Sequence, residues 1–124
     1  MIDREVEVYY GVEADSDMNK FQKVVSNRLA DIQKTLIIKG AEYIRNNDPF
    51  HNFNKSARRR NITPEEALYG MLEKHLVSLD DIIEDIKKGI ITPLPIAQEK
   101  IKDTITYLIL LEGLLTKRIN DSAN

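Results

Sequence analysis

The sequence predicts an all-α protein: three long helices packed as a bundle that oligomerisation completes, preceded by a short irregular or β N-terminal arm. Two observations carry this. Apolar residues recur at helical spacing over three long stretches. The middle stretch also opens on Thr63-Pro64-Glu65-Glu66, which combines a capping box with proline at the first helical position.

The elements follow in order. Residues 1–17 form the arm, where Val6-Glu7-Val8-Tyr9-Tyr10 reads as a short strand or as an arm laid on another subunit, broken by Gly11. Asp15-Ser16-Asp17 offers an N-cap. A first helix over 18–46 follows from Phe21, Val24, Val25, Leu29, Ile32, Leu36 and Ile37. Gly40 lies inside it, and it fades toward Asn46-Asn47-Asp48-Pro49, because a residue before proline avoids helical backbone. Residues 48–62 read as a loop, long for a compact domain, with room for a turn of helix around 54–59. Phe50 and Phe53 order that loop by docking on the body. The second helix spans 63–88 through Ala67, Leu68, Met71, Leu72, Leu76, Leu79, Ile82, Ile83 and Ile86, and ends on Lys87-Lys88-Gly89. Pro93 and Pro95 keep the next link extended. The last helix, 95–119, is the most apolar: Ile101, Ile105, Leu108, Leu111, Leu115 and Ile119 make one face, and Ile109, Leu110 and Leu114 widen it. Such a helix is central or lies between subunits, so a homodimer or larger assembly is expected.

The totals narrow the function. The 124 residues make one domain, and the net charge of −2 gives no global case for nucleic acid or a membrane surface. Without cysteine there is neither a disulfide framework nor a thiolate metal site. No apolar run reaches membrane-spanning length, so a soluble cytoplasmic protein is expected. Charge is uneven: residues 1–17 are acidic, while Lys55, Arg58, Arg59 and Arg60 form a basic run with no acid among them. The plain reading of that run is solvated surface; the functional one is a phosphate partner. Gly-rich phosphate loops, nucleophile elbows, H-E-x-x-H and Cys/His zinc spacings are all missing.

Chemistry-bearing residues gather on three segments. On the last helix Glu99, Asp103 and Tyr107 stand four residues apart on one stripe, and two carboxylates on adjacent turns suit a hard cation such as Mg²⁺. The plain alternative pairs Glu99 with Lys102 or Lys100 as ordinary surface charge near the helix N-terminus. On the middle helix Lys74, Ser78 and Asp81 form a second stripe, and His75 falls near the apolar face, where a hydrogen-bonded core histidine is the plainer reading. On the first helix Lys39 suits a phosphate, Glu42 a metal and Tyr43 a base or sugar. In the loop Asn52 either reads a base edge or satisfies loop backbone, and Phe53 either stacks on a base or plugs the core.

The ordered pattern Lys39-Gly40-x-Glu42-Tyr43, Asp48, Asn52-Phe53, Lys74-His75-x-x-Ser78-x-x-Asp81 and Glu99-Lys100-Ile101-x-Asp103 resembles small phage and prophage proteins related to the nucleotide-modification-associated domain family. These are similar in turn to the all-α nucleoside triphosphate pyrophosphohydrolases of the MazG-like and dimeric dUTPase group. The resemblance covers residues from about 26 to 119. It implies dimerising helices, Mg²⁺ on clustered acids, and water attack that releases pyrophosphate from a nucleotide, in the cytoplasm of a phage-infected or lysogenic bacterial cell. Carried onto this chain, the metal set is Glu42, Asp81, Glu99 and Asp103, with Glu99 and Asp103 catalytic. Lys39, Tyr43, Asn52, Phe53, Arg58, Arg59, Lys74, His75 and Tyr107 contact the substrate. The chain departs from the enzyme motif, since Glu99-x-x-x-Asp103 is one residue longer than Glu-x-x-Asp and Lys74-His75 stands where an acidic triplet is usual. A second expectation is therefore a non-catalytic phage protein that sequesters a nucleotide, for example a cyclic-nucleotide defence signal. A third is a structural protein whose polar set fixes helix register.

Overall fold

The computed structural model describes residues 16–39 and 48–123, with the side chains of Ile38 and Lys39 left aside. Four α-helices make up the described residues: α1 (Asp17–Gln33), α2 (His51–Arg60), α3 (Pro64–Lys87) and α4 (Leu94–Ser122). A π-helical segment, Lys34–Lys39, runs directly on from α1. The expected strand or arm before residue 16, and the expected helix beyond residue 39, lie outside the described residues.

Each helix start and stop has a local cause. The Ser16 side chain accepts a hydrogen bond from the Asn19 N–H at 3.0 Å and caps α1. At α3 both halves of the capping box form: Thr63 Oγ1 accepts from the Glu66 N–H at 3.1 Å, and Glu66 Oε1 accepts from the Thr63 N–H at 3.0 Å. Its far end closes in a Schellman motif. Gly89 takes the left-handed φ of 77°, its N–H donates to Ile86 O at 3.0 Å, and the Ile90 N–H donates to Asp85 O at 2.9 Å.

Helix α2 corrects the loop expected over 48–62. Asp48 organises its start: Oδ1 accepts from the Phe50 N–H at 2.9 Å, and Oδ2 accepts from Asn54 Nδ2 at 3.0 Å. Phe53 and Ala57, one turn apart, are both buried. Arg58, Arg59 and Arg60 fill the last turn, where the negative pole of the helix favours cations. Asn61 then ends it with φ 56°. Two buried residues in ten are too sparse a stripe to read as periodicity; packing on the neighbouring helices supplies the rest.

Helices α3 and α4 form a hairpin across the short link 88–93, and theirs is the most extensive packing in the molecule. Helix α2 lies against α3, and α1 crosses α4 with a smaller contact. The core is Phe53, Leu68 and Leu114, with Phe50, Met71, Tyr107, Leu110 and Leu111 packed round it. Leu68 and Leu72 are wholly buried and contribute about 1.5–3 kcal/mol each. Arg118 spans the hairpin's open end, donating Nε and Nη2 to the two carboxylate oxygens of Glu65 at 2.6 and 2.9 Å. That pair holds Glu65 below the usual carboxylate range. The apolar stripe of α1 is only partly covered: Ile32 is buried, but Phe21, Val24 and Leu29 are more than half exposed. Arg28 ties α1 to α4 by donating to Gln98 O at 2.9 Å.

Candidate functional site

Among the described residues, two of the places where chemistry-bearing side chains gather lie on different sides of α2. The first lies between α3 and α4. His75 sits on the stripe that includes Leu68 and Leu72, so it faces the hairpin partner. Its ring stacks on Tyr107 with centroids 4.9 Å apart and planes at 29°, and its Nδ1 stands 3.7 Å from Asp103 Oδ2. Phe53 meets the Tyr107 ring edge-on at 6.2 Å. Burial, and then the Asp103 carboxylate, push the Tyr107 phenol above its ordinary value. The phenol thus stays neutral beside the acid. His75 and Asp103 are partly exposed, so the arrangement is a half-buried polar seam rather than a sealed core pair.

The second place is the outer face of α2. Phe53 and Ala57 point inward, so Lys55 and Arg59 fall about half a turn away. A groove of about 420 Å³ is lined by Asn52, Lys55, Ser56, Arg59 and Arg60. Lys55, Arg58, Arg59 and Arg60 form no ion pair with any described residue. Arg60 lends electrostatic support to Glu66 and also borders a second groove lined by Glu65, Glu66 and Glu73. Concave, cationic and carrying one amide and one hydroxyl, the groove can accept several phosphate oxygens at once.

The residues singled out from sequence divide as follows. His75, Asp103 and Tyr107 come together, with Phe53 behind them as a core residue. Asn52 and Arg59 share the cationic groove, and Arg58 is exposed on the same helix. Lys74 and Asp81 are exposed on α3. Glu99 pairs with Lys102 at 3.1 Å and raises the Lys102 pKa, which is the plain alternative weighed for it. Lys39 ends the π-helical segment, and its side chain, together with Glu42 and Tyr43, lies outside the described residues. Among the described residues no three acids or histidines gather where they could hold a metal ion. Asp81, Glu99 and Asp103 therefore do not make a Mg²⁺ site by themselves, and no chemical step is derived through one.

Ser56 is the groove residue that the sequence reading passed over, and Lys55 and Arg60 entered it only as members of the basic run. The signal was present: 52, 56 and 60, and 55 and 59, are i,i+4 sets, visible once 51–60 is read as helix. No described helix is long and apolar enough to cross a membrane. Comparison of the chain with known protein families, characterised proteins and solved structures finds no match, so the functional argument rests on these side chains.

Proposed function

We propose that this chain is a nucleotide-binding protein that holds its ligand by the phosphates in the cationic groove of α2, without chemistry at the ligand. One observation carries the reading: Lys55, Arg59 and Arg60 line a concavity beside Asn52 and Ser56 with no acid paired to them among the described residues. Unpaired cations around a concavity gain most from an anionic guest, because each charge-assisted hydrogen bond replaces only water. The size favours a small ligand over a nucleic-acid strand, since about 420 Å³ falls within the range of small-molecule sites. Asn52 offers an amide for a base or sugar edge. Capture rather than hydrolysis is supported by the carboxylates, for Glu99 is engaged by Lys102 and Asp103 faces His75. The reading includes self-association, supported by the large apolar residues that α1, α3 and α4 leave exposed.

Calorimetric titration with a panel of mono-, di-, tri- and cyclic nucleotides, with and without Mg²⁺, tests this. Binding should weaken as salt is raised and should fall at least tenfold in Lys55→Glu and in Arg59→Glu, and the nucleotide should be recovered intact. Unchanged affinity in both variants would remove the groove from the account. Mg²⁺-dependent release of pyrophosphate, abolished by Asp103→Asn, would replace capture with the pyrophosphohydrolase activity that the resemblance implies.

A further inference from the structure

On α3, Tyr69, Leu76 and Ile83 stand seven residues apart, and Ile90 continues the count just past the helix end. On α4, Leu94, Ile101, Leu108 and Leu115 do the same. All eight side chains are between 36% and 67% exposed. Because the hairpin is antiparallel, the two series run past each other in step. Tyr69 and Leu115 share a level, and counting along both helices from there pairs Leu76 with Leu108, Ile83 with Ile101 and Ile90 with Leu94. Three independent contacts fix that register. Tyr69 and Leu115 line one groove, of about 600 Å³. His75 and Tyr107, the residues preceding Leu76 and Leu108, stack on each other. Glu65 binds Arg118 at the open end. The buried residues Ala67, Leu68 and Leu72 occupy another side of α3.

A seven-residue apolar repeat is the seam geometry of packed helices, in which each side chain drops into a hole on a facing helix. Here the seam is two helices wide and exposed among the described residues, and at one end Leu94 and Ile101 also line a groove with Val24 and Arg28 of α1. We infer that this face docks on the same face of a second copy of the chain, so that two hairpins complete a four-helix bundle about a two-fold axis. The inference rests on the self-association proposed above and adds its face and register; it is independent of the nucleotide.

Area supports a second copy as the occupant. Eight roughly half-exposed side chains, at about 80 Å² of apolar surface each, offer on the order of 600 Å² per protomer. That is at the upper limit of what monomers leave bare and close to the ~800 Å² per partner of a standard stable interface. Ile119, 64% exposed, extends the same side of α4. A two-fold axis through the stripe maps it onto itself, as an isologous contact requires. An anionic lipid surface fits poorly, because Glu73, Asp80 and Glu112 border the stripe.

Sedimentation equilibrium over a wide range of protein concentration tests the inference with Leu76→Glu, Leu108→Glu and the control Val77→Glu. Val77 is 56% exposed but lies off the stripe. The unaltered protein and the Val77 variant should form dimers, while the two stripe variants should be helical monomers by circular dichroism. The chain has no cysteine, so Leu76→Cys, Leu108→Cys and Val77→Cys give a second readout should a glutamate variant fail to fold. A short bis-maleimide should join two chains at the stripe positions and not at residue 77. An unaltered protein that is monomeric throughout would overturn self-association itself. An unaltered dimer that Leu76→Glu and Leu108→Glu leave intact, or that cross-links equally at 77, would overturn the face alone.

Discussion

The same substitution, glycine to alanine, should move stability in opposite directions at two helical positions. Gly70 lies within α3 and Gly113 within α4. In a helix interior alanine is favoured over glycine by about 0.8–1 kcal/mol. At Gly70 an added Cβ meets nothing within 4 Å, so the propensity gain stands alone. At Gly113 the Cβ would lie 2.8 Å from Phe50 Cζ and 3.2 Å from Phe50 Cε1. Phe50 packs against the core, and its backbone N–H is held by Asp48, so the ring cannot swing clear cheaply. Overpacking of this kind costs about 1–3 kcal/mol, which outweighs the propensity gain. Gly113→Ala should therefore lose roughly 0.5–2 kcal/mol while Gly70→Ala gains nearly 1. Urea denaturation followed by circular dichroism, at low protein concentration so that association contributes little, reads both as shifts of the midpoint at constant slope. Trimming the ring tests the cause: Phe50→Leu should cost less on the Gly113→Ala background than alone, a coupling of about 1 kcal/mol. Equal stability of the two alanine variants, or additive behaviour with Phe50→Leu, would refute the contact.

Other outcomes follow from single sites. Thr63→Ala removes the cap on the α3 N-terminus and should cost about 1 kcal/mol in the same urea experiment, with Thr63→Ser nearly neutral. Leu68→Ala empties a wholly buried position and should cost about 2–5 kcal/mol. Glu65 and Glu66 are held below the ordinary glutamate value by Arg118 and Thr63 respectively. The stability they contribute is full above about pH 4.3 and is lost as pH falls through their folded values, so Glu65→Gln should flatten the acid limb of a stability–pH curve. Tyr107 has the opposite sense. Its phenol is pushed up, so its contribution is full below about pH 10 and is lost as pH rises through the folded value. Tyr107→Phe should remove that alkaline loss, together with the late-ionising component that Tyr107 contributes to the phenolate absorbance of the folded protein.

Helix ends were legible in the sequence because they depend on atoms within four or five residues of each other. The Thr63–Glu66 box, Pro64 and the Gly89 turn form where they were expected, since a side chain three residues away either reaches a backbone N–H or does not. The apolar count of the last two helices likewise marked an all-α fold with unburied surface. Local spacing could not decide which partner each face would meet. Glu99 and Asp103 share a stripe, yet one turns to its own helix's Lys102 and the other to His75 across the hairpin. Phe53 became core and Lys55 groove because α3 and α4 cover one side of α2 and leave the other to water. The sequence allowed only a turn of that short helix, around 54–59, for the same reason: its full length rests on contacts with residues far along the chain. Torsional preference and capping are written into neighbouring residues, whereas burial is a property of the assembled surface, so the sequence determined the rods and their ends and only the tertiary packing determined which charges remained unpaired.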